Sequence, residues 1–345
     1  MKASVTIRRN QVLVGDARDH LATLPDASVD MVLTSPPYFR LRDYRVDGQL
    51  GLEEGVEEWV TALRGVAAQV HRVLTPTGSL WLNVADTYST HSRQGAGRKS
   101  LLLGPERLAL ALVEDGWLLR NKIVWSKTNH LPTSARDRLA CGWEALLVFV
   151  KEPSYFFDLD AIREPHLSAT PKVKRGMPRR RKRESWRGAN ADDTSGLAAM
   201  KASGRVGHPL GKNPGDVWRL PASNYRGAHH ATFPIALAER AIRAGCPETR
   251  CQRCFAPWRR SVMRALVAGV GQVATRHELH PTCTCVALSE PGLVLDPFFG
   301  AGSTGVAAQH LHRDWFGIEL NPDFAQLAKT RIQNAARASP TQAAA

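Results

Sequence analysis

The sequence lacks any long apolar run, and acidic residues are scarce relative to basic ones. No stretch of about 18 consecutive apolar residues occurs, and residues 1–10 lack the apolar segment of a secretory leader. Membrane and export classes are therefore disfavoured, and we expect a cytoplasmic protein. The 46 Lys and Arg residues outnumber the 32 Asp and Glu residues, which gives a net charge of +14. This excess favours a polyanionic partner, most often nucleic acid.

The positive charge is concentrated in one part of the chain. From residue 166 to residue 215 hydrophobic periodicity disappears, and Arg, Lys, Gly, Ser and Pro dominate. Such a block repels itself unless phosphate groups neutralise it. We expect it to be mobile without a nucleic acid, and a disordered basic linker is the alternative for residues 171–187. Its densest basic residues are Lys172, Lys174, Arg175, Arg179, Arg180, Arg181, Lys182, Arg183 and Arg187.

A short polar turn follows a strongly apolar segment near the start of the chain. Residues 29–33 predict a buried strand, which two consecutive prolines end. The prolines fix φ and remove two N–H donors, so the turn presents carbonyl oxygens and the Ser35 hydroxyl as acceptors. Tyr38 adds an aromatic face. Acceptors beside a stacking ring suit a planar group that carries an amino hydrogen, such as the edge of cytosine or adenine.

A glycine-rich loop follows another apolar strand near the opposite end of the chain. Residues 294–305 read Val-Leu-Asp-Pro-Phe-Phe-Gly-Ala-Gly-Ser-Thr-Gly and lead into a helical stretch. Gly300, Gly302 and Gly305 have the spacing of a dinucleotide fingerprint, and Glu319 ends the next apolar run, where a ribose-binding acid is expected. By itself this pattern admits a nicotinamide cofactor as well as S-adenosylmethionine.

Together the two segments resemble amino-methylating DNA methyltransferases. Residues 35–38 are similar to motif IV, the catalytic motif, and residues 296–305 are similar to motif I, which binds S-adenosylmethionine. The catalytic motif comes first, which resembles the β class, a circular permutation of the common order. The resemblance implies a doubly wound α/β fold with a mostly parallel, seven-stranded, Rossmann-like sheet. In it the strands at residues 29–33 and 294–296 must be neighbours, although they lie near opposite chain ends.

The same resemblance assigns the candidate site residues. The segment at residues 229–234, which leads into a predicted helix at residues 235–244, is similar to motif X, which packs on the methionine part of the cofactor. Asp16, at the end of a predicted strand, is a candidate for the adenine amino group, and capping of the next helix is an equally good interpretation. The catalytic candidates are Ser35, Pro36, Pro37 and Tyr38. The cofactor-binding candidates are Asp16, Thr34, His230, Thr232, Phe233, Asp296, Pro297, Phe298, Gly300, Gly302, Ser303, Thr304 and Glu319.

The implied reaction is transfer of a methyl group from S-adenosylmethionine to the exocyclic N4 of cytosine in double-stranded DNA. An exocyclic amine is a poor nucleophile because its lone pair is delocalised into the ring. Hydrogen bonds from the amine to Ser35 and the Pro36 carbonyl would localise that pair for direct in-line attack. The base must leave the stack, and Tyr38 would hold it. Serine at the first motif position favours cytosine N4, with adenine N6 as the alternative. No Pro-Cys pair occurs, which disfavours C5 methylation.

Other classes explain less of the sequence. A nicotinamide-dependent oxidoreductase would leave residues 35–38 and the basic block without a role. A non-enzymatic zinc- and DNA-binding protein would leave the cofactor pattern unused. Enzymes that methylate RNA or protein glutamine use related turns, so these two substrates stay open as alternatives to DNA. The expected partners are double-stranded DNA and a cognate restriction endonuclease in the same bacterial cell. A monomer or a homodimer without membrane contact is expected.

Paired cysteines precede the glycine loop. Cys251 and Cys254 are separated by two residues, and Cys283 and Cys285 by one. Thiols in the cytosol stay reduced, so these pairs predict metal ligands rather than disulfides. Four thiolates would complete a structural Zn²⁺ site. His280 or Cys246 could replace one ligand, and four thiols without metal are the alternative. Cys141, on a mostly apolar background, is expected to be a packed thiol rather than a nucleophile.

These segments give a predicted domain organisation. Two parts form the methyltransferase domain, and insertions separate them. The predicted segments are 1–165, the catalytic half; 166–215, a basic and flexible target-recognition region; 216–245, the motif X segment; 246–290, a cysteine-rich insertion with a possible zinc site; 291–336, the cofactor-binding half; and 337–345, a disordered tail.

Overall fold

The computed structural model describes residues 7–165, 208–223, 233–267 and 271–338. The predicted basic block therefore lies largely outside the described residues, and residues 224–232 lie wholly outside them. The strands are β1 (Gln11–Val14), β2 (Val29–Thr34), β3 (Leu74–Val84), β4 (Leu118–Lys127), β5 (Trp143–Val150), β6 (Val217–Leu220), β7 (Thr249–Cys251), β8 (Arg259–Val267), β9 (Gly271–His280), β10 (Ser289–Pro291), β11 (Leu293–Asp296) and β12 (Asp314–Glu319).

One large sheet organises the first of two compact units, whose described residues are 7–161, 215–223, 233–260 and 279–338. Its strand order is β1-β12-β11-β2-β3-β5-β4-β6. Every pairing is parallel except those of β5, which runs antiparallel to both β3 and β4. The mostly parallel α/β sheet that the sequence predicted is confirmed.

The sheet has eight strands rather than the seven expected. The eighth is β6, which pairs in parallel with the far side of β4 and forms the edge of the sheet. Four residues with a single buried side chain, Trp218, give little periodic signal, so the sequence did not predict a strand there.

The central pair, β11 and β2, joins the two ends of the chain. Val294 is paired with Met31 and Leu295 with Val32. All six residues of β2 and all four of β11 are buried. Burial on both faces is typical of a parallel strand covered on each side, and it explains why both strands are continuous apolar runs. The neighbourhood predicted for these two strands is confirmed.

Two groups of helices cover opposite faces of the sheet. Leu80 and Leu82 belong to the core cluster formed with the first three helices. Trp81, between them, points the other way, because successive side chains of a strand alternate. Its indole lies within 3 Å of where a Cβ on Gly245 of the fourth helix would be. The helices are α1 (Ala17–Thr23), α2 (Val56–Val73), α3 (Gly104–Glu114), α4 (Ile235–Gly245), α5 (Ser303–His310) and α6 (Pro322–Ala338).

Packing between helices follows the same division. α2 packs on α1 and α3, whereas α5 packs on α4 and α6. The sheet is therefore doubly wound, as predicted. Helix α2 contributes a wide apolar stripe that includes Trp59, Leu63 and Val70. Among the described residues, no helix combines the length and apolar character that a membrane span requires.

The prediction for Cys141 is wrong. This side chain is exposed rather than packed. The apolar residues near it in sequence belong to β5, which begins only at Trp143, and the thiol lies in the loop between β4 and β5. The apolar character of β5 therefore does not predict whether Cys141 is buried.

The second unit comprises the described residues 162–165, 208–214, 261–267 and 271–278. β8 and β9 form a separate two-stranded sheet. Glu164 and Lys212 exchange backbone hydrogen bonds of 3.1 and 2.8 Å, and their side chains form an ion pair. The division into units does not test the predicted domain boundaries, which stay predictions.

Removal of the last two strands in sequence, β11 and β12, should unfold the first unit rather than shorten it. A chain ending at residue 291 lacks β11 and β12, so β2 loses one of its two parallel neighbours, and β1 loses the neighbour that it has among the described residues. We expect no cooperative thermal transition by circular dichroism. A chain ending at residue 338 keeps every described element and serves as control. Retention of a cooperative transition by the shorter chain would contradict the proposed dependence on both termini.

Candidate functional site

A cavity of about 610 Å³ opens at the carboxyl ends of the parallel strands. This is the edge at which open α/β sheets bind ligands. The turn at residues 35–38 forms one part of its wall, and residues 297–301 of the glycine loop form another. The predicted site residues that line it are Asp16, Ser35, Pro36, Pro37, Tyr38, Phe233, Asp296, Pro297, Phe298, Gly300, Ser303 and Glu319.

Three predicted cofactor-binding residues do not line this cavity. Thr34 and Thr304 lie behind it and are buried. Gly302 begins α5 with φ of +76°, and a Cβ there would come within 2.9 Å of Ala328 in α6. The close approach that requires this glycine is therefore to a helix of the protein itself. The remaining two predictions, His230 and Thr232, lie outside the described residues.

Asp296 joins the two motifs beneath the cavity. Its Oδ1 accepts hydrogen bonds from the Thr34 hydroxyl, 2.6 Å, and from the Phe298 amide, 3.1 Å. Its Oδ2 accepts from the Thr304 hydroxyl, also 2.6 Å. Burial raises the pKa of Asp296 to about 6, and these hydrogen bonds oppose the rise. The carboxylate thus holds the end of β2 against the start of the glycine loop.

Glu319 fixes the glycine loop from the other side. Its Oε2 accepts from the Gly300 amide, 2.7 Å, and its Oε1 from the Asn321 amide, 2.9 Å. Burial raises the pKa of this side chain. A carboxylate oxygen has room for two hydrogen bonds, so each can accept one more from a ligand in the cavity. The side chain is therefore placed to bind ligand hydroxyl groups.

A hydrogen-bonded chain runs from Ser35 into the wall of the cavity. The Ser35 hydroxyl lies 3.1 Å from the Tyr38 hydroxyl, which lies 2.7 Å from Glu144 Oε2 and 3.2 Å from Asn83 Oδ1. The other oxygen of Glu144 pairs with Lys127. Burial, followed by the Glu144 carboxylate, raises the pKa of Tyr38 well above its usual value. Tyr38 therefore keeps its proton.

The direction of this chain is fixed by chemistry. A carboxylate cannot donate, so Tyr38 donates its proton to Glu144. Asn83 directs its amide N–H to the Ala145 carbonyl, 3.1 Å away, and thus also presents an acceptor to Tyr38. The Tyr38 oxygen can then only accept from Ser35. Ser35 donates its single proton into the wall, and its lone pairs are the groups left for a ligand.

Sequence reasoning missed Asn83, Glu144 and Lys127, all of which line the cavity. Asn83 is a polar residue near the carboxyl end of an apolar strand, which is a usable signal for a site at that edge. Glu144 stands near the amino end of β5, and because β5 is antiparallel, this end lies at the same edge. Lys127 is the last residue of β4, which runs in the same direction as β3, so it also lies at this edge. Recognising them required the strand directions.

Asp16 caps the following helix, which was the alternative interpretation of this residue. It is the N-cap of α1, where its Oδ1 accepts from the Arg18 amide at 2.7 Å, and its Oδ2 pairs with the Arg18 guanidinium. This hydrogen bonding to Arg18 lowers the pKa of Asp16. The residue also lines the cavity, so capping and a ligand contact are compatible.

The four paired cysteines lie together in the first unit, apart from the residues that line the cavity. Their Sγ atoms are all within 4.8 Å of one another. Cys246 takes no part in this cluster: its buried thiol lies 3.7 Å from the Pro247 carbonyl. The clustering agrees with the predicted ligand set.

Comparison with known proteins gives consistent matches. Residues 29–330 match the N6_N4_Mtase family model, described as DNA methylase. The chain is similar to the Type II methyltransferase M.SmaI of Serratia marcescens, with 31% identity over 94% of this chain and 91% of the relative. It is also similar to M.XycI of Xanthomonas campestris pv. cyanopsidis, with 32% identity over 95% and 89%.

Two solved structures share the fold. The first is PvuII DNA methyltransferase, described as cytosine-N4-specific, with a TM-score of 0.56 and 18% identity over 96% of this chain and 93% of that one. The second is a putative DNA modification methylase from Thermus thermophilus in complex with S-adenosyl-L-methionine. Its TM-score is 0.53, with 24% identity over 94% of each chain.

Replacement of Thr34 by valine tests the link through Asp296. The folded pKa of Asp296, about 6, exceeds its usual 3.8, so deprotonation opposes folding and stability falls as pH rises through this interval. Loss of the Thr34 donor raises the folded pKa further and extends the fall to higher pH. A hydrogen bond to an ionised group contributes about 1.5–3 kcal/mol. We expect Thr34→Val to lower the unfolding free energy by about 2 kcal/mol at pH 8 and by less at pH 5.

The measurement is urea unfolding at the two pH values. Thr330→Val is the matched control, because that exposed hydroxyl donates only to the Gln326 carbonyl of its own helix. The control should change little, and equally, at both values. An equal loss at pH 5 and pH 8 in Thr34→Val would show that the hydroxyl does not serve an ionised Asp296.

Proposed function

This chain belongs to the DNA methylase family of the N6 and N4 amino-methyltransferases, and we propose that it methylates the exocyclic N4 of cytosine in double-stranded DNA at a specific site. The observation that carries the proposal is the direction of the Ser35–Tyr38–Glu144 chain. It makes Ser35 an acceptor toward the cavity, and an acceptor is what an amino group requires. Family membership leaves the oxidoreductase and the non-enzymatic DNA-binding protein without support.

The cavity suits S-adenosylmethionine as the methyl donor. Its volume, about 610 Å³, is within the range of cofactor sites. Glu319 offers carboxylate oxygens to ribose hydroxyls at one end, and Asp16 lies beside it as an acceptor for the adenine amino group. Phe233, 7% exposed, adds an apolar surface just before α4. When bound there, S-adenosylmethionine would supply an electrophilic sulfonium methyl group.

The residues of the turn would prepare the target amine. Ser35 and the Pro36 carbonyl accept its two hydrogens, which draws the nitrogen toward tetrahedral geometry and localises its lone pair. Trp59 in α2 donates to the Pro37 carbonyl at 2.9 Å and thereby holds the turn on the helix. The amine would then attack the methyl carbon in line, so that the N–C bond forms as the S–C bond breaks and the sulfur leaves as a neutral thioether. No covalent enzyme intermediate is needed, and the methylated amine afterwards releases a proton to water.

Base flipping and DNA binding form part of the proposal. A base that is paired inside the duplex cannot reach a cavity at the carboxyl ends of the strands, so it must rotate out of the helix. The ring of Tyr38 would then stack on the flipped base. Arg42 and Arg138 also line the cavity and bring positive charge to it. The basic block, including Arg179 to Arg183 in sequence, would contact phosphates.

Several finer assignments are proposed with this function. We place the protein in the bacterial cytoplasm with a cognate restriction endonuclease, because the relatives are bacterial Type II methyltransferases. The circular permutation is supported by the order of the two motifs and by the pairing of β2 with β11. The predicted domain boundaries, including the target-recognition region at residues 166–215, are kept.

Nucleoside analysis of methylated DNA tests the proposal. Unmethylated DNA is incubated with the full chain and S-adenosylmethionine, digested, and examined by mass spectrometry, and sequencing then locates the modified site. We expect N4-methylcytosine at one recurrent sequence. N6-methyladenine alone would overturn the cytosine assignment and establish the alternative. Methylation of RNA or protein without methylation of DNA would overturn the DNA substrate.

Ser35→Ala tests the acceptor role. The variant removes a hydrogen bond that should strengthen as charge develops on the amine, so kcat should fall about a hundredfold. Cofactor affinity, measured by calorimetric titration, should change little, because Ser35 contacts the base. Ser100→Ala, which removes an exposed hydroxyl, is the control. Equal losses in kcat and in cofactor affinity would contradict the assigned role.

A further inference from the structure

We propose that Cys251, Cys254, Cys283 and Cys285 bind one structural Zn²⁺ ion as thiolates, and that this ion fixes Arg250 beneath the two strands that carry the site. Tetrahedral zinc with Zn–S distances of about 2.3 Å places sulfur atoms roughly 3.8 Å apart. The four Sγ atoms, all within 4.8 Å of one another, need only a small contraction to reach this arrangement. Four protein ligands leave no open position, so the ion would not be catalytic.

The backbone around the first cysteine pair is shaped for a metal. Phe255 has φ of +56°, a left-handed conformation, and its amide donates to the Cys251 carbonyl at 3.0 Å, which closes a tight turn. Such a turn brings the two sulfur atoms of a Cys-x-x-Cys pair to the same side of the backbone, as a shared metal ion requires.

The cysteine-rich segment has little apolar core of its own. Val286 is fully exposed and Leu288 is 77% exposed. β7 and β10, which flank the cysteine pairs, form a sheet of only three residues a strand. A segment with so little buried apolar surface needs a cross-link, and a metal is the available one in a reducing compartment.

The buried cation next to this cluster connects it to the main sheet. Arg250, 2% exposed, directly precedes Cys251 and donates from Nη1 to Asp30 Oδ2 and to the Ser28 carbonyl, both at 2.8 Å. Its Nε donates to Glu290, the residue opposite it in β10. The guanidinium therefore extends from the cysteine segment into the amino end of β2.

Asp30 passes the connection on to β11. The oxygen that binds Arg250 also accepts from the Leu293 amide at 2.7 Å, and Leu293 is the first residue of β11. If the ion were lost, β7 would be released and Arg250 would be free to withdraw. Asp30 would then be a buried carboxylate without its cation, an arrangement that is strongly destabilising. Zinc is thus placed to act on the alignment of β2 and β11 from outside the cavity.

Metal analysis of the full chain tests the first half of the proposal. Protein purified without chelator and assayed by plasma mass spectrometry should contain about one zinc per chain. Cys254→Ser and Cys285→Ser should each reduce it at least fivefold, whereas Cys141→Ser, an exposed cysteine outside the cluster, should not. A content below one tenth after incubation with zinc would overturn the site. Loss of free thiols in that metal-free protein would identify disulfides instead.

Hydrogen exchange tests the second half. Removal of zinc by a chelator should raise exchange at the amides of β2 and β11 at least tenfold and lower Tm, with β4 and β5 as internal reference. In Cys254→Ser the same strands should already exchange fast, and chelator should add nothing. Loss of zinc with unchanged or uniformly raised exchange would overturn the coupling. Neither readout uses methyl transfer, so both remain decisive if the proposed reaction is wrong.

Discussion

Two buried carboxylates, one at each end of a short pair of strands, hold together the two parts of the site. β11 has only four residues, and its register with β2 comprises two residue pairs. Asp296 joins the carboxyl ends through Thr34 and Thr304. Asp30 joins the amino ends through the Leu293 amide and the Arg250 guanidinium. Burial raises the pKa of each carboxyl to about 6. Both therefore oppose folding in part when ionised, which makes their donors indispensable.

The chemistry of the cavity depends on this junction. Ser35 directly follows Thr34, so the Asp296 link sets the distance between the turn and the glycine loop. Within the turn, Tyr38 and Glu144 decide which face of Ser35 is a donor and which is an acceptor. Lys127 holds the carboxylate that ends the chain. A hydroxyl that could donate or accept is thereby left with only its lone pairs facing the cavity.

The sequence predicted most of the sheet and the two segments, residues 35–38 and 297–301, that line the cavity on either side of the β2–β11 junction. Apolar runs ended by Pro-Pro or by glycines placed β2 and β11 correctly, because parallel strands buried on both faces have that pattern. The roles of Thr34 and Thr304 stay predictions, but their hydroxyls serve Asp296, which no spacing rule indicates. Glu144 and Lys127 were missed because the directions of β5 and β4 were needed to see which of their ends faces the cavity, whereas the position of Asn83 near the end of an apolar strand was an overlooked signal. Likewise, β6 is too short and too exposed to show a period.

Polar links at this junction achieve what apolar packing would not. A slip of one residue between parallel strands would reverse the faces of every side chain, but with two residue pairs the ladder itself opposes a slip weakly. Apolar side chains accept small displacements, whereas loss of one donor to a buried carboxylate costs about 1.5–3 kcal/mol. We infer that Asp30 and Asp296 select the register as well as stabilise it. Since the two strands come from opposite ends of the chain, no connecting turn could set that register in their place.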